Sequence, residues 1–210
     1  MASVANRRSV MVLYSENMCP IGHSVRIVLA EKDINVEINY VREGEELPEE
    51  VVDLNPYNKV LTLIDRDLVL YDAQIMMEYL DERFPHPPLM PVDPVARANN
   101  RQLRFRVIHD MYGCIDDITG GNDIAAANAK KQLKDYLTSI ASAFNQLPFF
   151  MSEEYSLVDC CMAPLLWRLD HYGIKLPASA KALNQYAKRL FERSAFQASL
   201  SEQERELQTS

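Results

Sequence analysis

From Phe84 to Pro91 the chain reads Phe-Pro-His-Pro-Pro-Leu-Met-Pro, and this run sets what the rest can fold into. Proline fixes φ and has no backbone N–H. The amphipathic helical pattern of Met77-Glu78-Tyr79-Leu80-Asp81-Glu82-Arg83 must therefore stop here, and the residues that follow are held extended and stiff. The chain divides into two halves, and 210 residues give each enough length to bury a core. The run is also a partly apolar ledge with one imidazole, His86, at its centre. Its spacing suits an inter-domain linker with no partner as well as a docking surface for another protein.

The two halves have different rhythms. Before the ledge, short β-rich stretches at 9–14 and 36–41 alternate with helical patterns opening near Pro20 and at Glu49. Leu61-Thr62-Leu63-Ile64 and Leu68-Val69-Leu70-Tyr71 flank Asp65-Arg66-Asp67 as an antiparallel hairpin, and Ile75, Met76, Tyr79 and Leu80 carry helical spacing. The predicted order is βαβαββα. After the ledge strand signals vanish. Helices are expected over 95–112, 125–144 and 178–196, with another entered by Ser156-Leu157-Val158-Asp159, a capping-box pattern, and interrupted by Pro164. The expected layout is an α/β domain over 1–86, a proline-rich linker over 87–94, an all-helical domain over 95–200 and a polar tail over 201–210.

Composition narrows the function classes. A net charge of −8 repels DNA, RNA and anionic lipid at long range, so direct nucleic-acid binding and membrane attachment are not expected. No apolar run nears the ~20 residues that span a bilayer, and Met1 to Arg8 contains no secretory apolar stretch, which points to a cytoplasmic protein. Cys19, Cys114, Cys160 and Cys161 lack zinc-ligand spacing, and neither a metal nor a cofactor is expected. Arg97, Arg101 and Arg104 share a helix face, which suits solvation or pairing with acidic groups on a dimer partner better than phosphate binding.

A βαβαββα domain, a proline-rich linker and a helical domain entered by Ser-x-x-Asp together resemble the glutathione transferase fold: a thioredoxin-like N-terminal domain followed by an all-α C-terminal one. Within that fold, residues 26–32 and 77–91, Tyr155 to Cys160 and Pro164 to Leu169 resemble the stringent starvation protein A family. The resemblance implies a cytoplasmic, homodimeric protein that associates with RNA polymerase holoenzyme, including its sigma factor, and regulates transcription in stress and stationary phase. A heterodimer with a related subunit stays open. It also implies that Pro85, His86 and Pro87 form the partner-binding ledge, with Phe84, Tyr79 and Arg83 as neighbours.

The glutathione site that such a fold implies can be followed residue by residue. The backbone edge that holds the tripeptide has a cis-proline in the wider superfamily, but here the segment is Val60-Leu61-Thr62-Leu63. A cis bond before leucine costs about 2.5–4 kcal/mol, against about 0.5–1 before proline, so this loop is expected to be trans and reshaped. The hydroxyl that meets the γ-glutamyl carboxylate is replaced in Asp72-Ala73, and alanine cannot donate. Cys19-Pro20 does resemble the start of omega-type transferases. A cysteine at a helix N-terminus has its thiolate favoured, and His23, four residues on, could add positive charge. No catalytic residue is expected, Cys19 being a vestige. The alternative is a Cys19-dependent, omega-like glutathione thiol transferase or reductase.

Overall fold

The computed structural model describes residues 10–207. They fall into two compact units, Met1–Pro87 with Ala198–Ser210, and Pro88–Gln197.

The first unit is built on strand β1, Met11–Glu16, buried along Met11 to Ser15 and central to a sheet of order β2-β1-β3-β4. Strand β2, Val36–Val41, runs parallel to it, with Leu13 opposite Ile38. Helix α1, Pro20–Glu31, makes the crossover that a parallel pair needs. Strand β3, Thr62–Asp65, pairs antiparallel with β1, and β4, Leu68–Leu70, closes the predicted hairpin. Its turn places Arg66 at φ 58°, in the left-handed region that disfavours non-glycine residues. Helix α2, Glu49–Leu54, turns Val51 onto Val12, Tyr14 and Ile64. Helix α3, Ala73–Arg83, packs on α1, burying Met76, Met77 and Leu80.

The second unit is all helical, as predicted. Helix α4, Pro94–Arg106, continues through a π-helical turn, Val107–Tyr112, into α5, Gly113–Thr119. Helix α6, Asp123–Ile140, follows and packs against α5. Helix α7, Leu157–Trp167, is buried at every position, and apart from Asp159 its sequence is apolar all round. Helix α8, Lys181–Phe191, lays Tyr186 against Phe144 with ring centroids 4.1 Å apart.

Two sequence expectations are corrected. The pattern over 178–196 forms two helices rather than one, α8 and then α9, Ser194–Ser199, because the chain leaves helical geometry at Glu192 and Arg193. The segment from Ser201 is not a loose polar tail: helix α10, Glu202–Glu206, opens with a capping box between Ser201 and Glu204, and the Glu204 side chain is completely buried. Its carboxylate receives both Nη atoms of Arg26 at 2.8 Å, and the Ser201 hydroxyl donates to the Asn17 carbonyl at 2.7 Å. The segment 201–207 is an integral part of the first unit.

Candidate functional site

Helix α3 stops where proline chemistry requires, at Phe84. Pro85, His86, Pro87 and Pro88 then stand exposed, with Phe84 half-buried at their root. The His86–Pro87 peptide bond is cis. Arg83 is the last residue of α3 and Tyr79 lies one turn before it, and both side chains reach Asp65. The Tyr79 hydroxyl and the Arg83 Nε both donate to Asp65 Oδ2 on β3, the arginine at 2.9 Å. Burial, then the Asp65 carboxylate, push the Tyr79 phenol up to about 12, so it remains a donor at any physiological pH. The Arg83 guanidinium lies 5.6 Å from the Phe84 ring centroid, within cation–π range.

One contact of the ledge was not legible in the sequence. Lys32, at the C-cap of α1, has a fully buried side chain whose Nζ donates to Asp81 Oδ1 at 2.6 Å and to the Pro87 carbonyl. Lysine is almost never fully buried unless it is paired. Beyond the ledge, Leu89 and Met90 are buried in the helical unit, where the Leu89 carbonyl accepts from the Leu157 N–H at 2.9 Å.

The second set of predicted residues surrounds the N-terminus of α1. Cys19 is the N-cap residue, half-buried, and its thiol makes no capping bond. The His23 imidazole is wholly buried, shares a hydrogen bond with Ser199 Oγ at 2.9 Å and faces Glu204 Oε1 at 3.7 Å. Val60–Leu61 is trans, as its residues predict. Leu61 instead fills space over α1, its Cδ1 3.7 Å from where a β-carbon on Gly22 would stand. Asp72 caps α3, Oδ1 accepting from the Gln74 and Ile75 N–H groups at 2.9 and 3.0 Å, and Ala73 beside it is buried. The carboxylate is spent on the helix, and no hydroxyl accompanies it.

Elsewhere, Arg104 is only 2% exposed and donates through Nε to Asn100 Oδ1 at 3.2 Å, so the arginine stripe is not simply solvated. Among the described residues no cluster could hold a metal ion, and no helix is long and apolar enough to cross a membrane.

A four-stranded mixed sheet with Cys-Pro opening its first helix, ahead of a helical unit whose buried α7 starts with a Ser–Asp capping box, defines a protein of the glutathione transferase fold. The glutathione S-transferase N-terminal domain model matches residues 13–88 and the C-terminal domain model residues 104–194. An omega 3C glutathione transferase from Trametes versicolor superposes with a TM-score of 0.80 over 94% of this chain and 92% of its own, at 23% identity. Sequence comparison is more specific. A stringent starvation protein A homologue from Pasteurella multocida is 49% identical, covering 95% of this chain and 94% of its own. One from Coxiella burnetii is 46% identical over 96% of both. The chain belongs to the stringent starvation protein A family.

Proposed function

We propose that this protein regulates transcription under stress by binding RNA polymerase holoenzyme, including its sigma factor, through the Pro85-His86-Pro87 ledge, and that it does not conjugate glutathione. The observation that carries this reading is the ledge itself: apolar rings and an imidazole held in solvent, with the buried Lys32 ammonium group bonded to the Pro87 carbonyl behind them. Exposed proline rings are poor at staying solvated and good at packing, and a rigid loop loses little freedom on docking. The old ligand edge supports the negative half, because Leu61 and the Asp72–Ala73 pair have been turned to packing and capping. A homodimer presenting two ledges fits the family; pairing with a related subunit would present one.

His86 sits at the centre of the surface and is exposed, so it contributes nothing to the packed core. His86→Ala is expected to leave the unfolding midpoint unchanged and to weaken binding to purified polymerase holoenzyme about tenfold or more, the effect of a central interface residue. Equal affinities of variant and parent would remove the ledge from the interface.

One observation favours a second reading. Cys19 stands at the N-terminus of a 12-residue helix and is not fully buried, a setting that lowers thiol pKa. That reading, an omega-like thiol transferase or reductase, requires glutathione-dependent reduction of a mixed disulfide that Cys19→Ser abolishes. Activity surviving the substitution would exclude it.

A further inference from the structure

The docking reading leaves one buried charge without a purpose. Lys32 has a fully buried side chain, and removing an ammonium group from water costs several kcal/mol that pairing only partly returns. Holding α1 against α3 does not call for it, since a buried ion pair replaced by apolar residues of similar volume is often as stable or more so. What an apolar pair cannot do is donate a hydrogen bond to the Pro87 carbonyl, as Lys32 Nζ does.

That bond matters because of what the ledge lacks. Pro85, Pro87 and Pro88 have no N–H, so the run has few backbone donors with which to tie itself down. Lys32 supplies a donor to one of its carbonyls from outside. Asp81, itself buried on α3, aims the ammonium group by accepting from it at 2.6 Å. Asp65 receives Tyr79 and Arg83 from α3, and the Arg83 guanidinium lies over the Phe84 ring at the root of the run. Two anchors of different chemistry thus hold the root of a four-residue exposed run, 85–88, whose own backbone is poor in donors.

The geometry points to Lys32 and Asp81 as positioning residues of the ledge: the pair presets Pro87 and so the face that His86 and its neighbouring prolines offer to the polymerase. This rests on the docking reading above. The pair touches no partner; it lowers the ordering cost of binding by fixing the surface beforehand.

The test is the double variant Lys32→Met with Asp81→Leu, which removes both charges together and leaves no orphaned ion. Its thermal midpoint is expected to equal or exceed that of the parent. Two readouts follow on the intact chain: the NMR line shapes of His86, and affinity for purified RNA polymerase holoenzyme. The expected result is broadened or multiple His86 resonances with affinity reduced about tenfold. Sharp, parent-like His86 resonances would overturn the proposal whatever the affinity. Broadened resonances with undiminished affinity would overturn it while sparing the docking reading. Failure of the parent itself to bind would instead bring down the docking reading, and this proposal with it.

Discussion

Asp159→Ala is expected to remove about 4–5 kcal/mol from the stability of the helical unit, as measured by urea unfolding followed at Trp167. The carboxylate is fully buried and receives four donors: the Ser156 N–H at 2.8 Å and its hydroxyl at 3.2 Å, the Phe150 N–H at 2.9 Å and the Tyr186 hydroxyl at 2.6 Å. Truncation removes a helix cap, worth about 1 kcal/mol, and strands several buried donors at roughly 1–3 kcal/mol each before relaxation. Against a typical total of about 5–15 kcal/mol this is a large fraction. Burial pushes the Asp159 carboxyl above its usual range, against the pull of Tyr186 and the two N–H groups. The folded unit therefore holds that proton more tightly than the unfolded chain. This carboxyl's contribution is greatest below its unfolded pKa of about 3.8 and declines as pH rises through the folded value. Acidification does not cost stability through Asp159. A change under 1 kcal/mol on truncation would mean that water replaces the carboxylate at little cost.

The other large effect concerns the chain end. Glu204→Ala leaves Arg26, only 1% exposed, without the carboxylate that engages both of its Nη atoms, and its Nε already has no partner. Burial alone would push the Arg26 guanidinium down, but the Glu204 carboxylate outweighs it and the group stays charged. Breaking one side of a buried pair typically costs about 3–5 kcal/mol, whereas replacing both sides with apolar groups is often neutral. The single variant is expected to unfold earlier and to be trimmed by protease within 198–207. Arg26→Met with Glu204→Leu is expected to recover much of the loss. Equal protease resistance in Glu204→Ala and the parent would show that the segment is held by something other than this pair.

These two sites mark the limits of a sequence reading. Ser156-x-x-Asp159 was legible because a capping box is local, four residues with a fixed geometry, and βαβαββα followed from periodicity and turn residues. The trans bond before Leu61 was legible, since the cost of a cis bond depends on residue type. Arg26 and His23 were opaque because their partners, Glu204 and Ser199, lie 178 and 176 residues away. Lys32 likewise meets Asp81 across 49 residues. No local pattern encodes such meetings. The tail did carry a signal, since Ser201-x-x-Glu204 is itself a capping box, but its polar composition suggested solvent instead.

The scaffold thus has the two domains of the glutathione transferase fold, and just past α3 it exposes Pro85, His86, Pro87 and Pro88, the surface proposed to dock. The most direct test is co-purification with RNA polymerase holoenzyme from cell extract, comparing the parent chain with a variant whose Pro85, His86 and Pro87 are all alanine. Retention of the parent with loss of the triple variant is the expected result. Equal retention of both, or of neither, would contradict a docking role for the ledge.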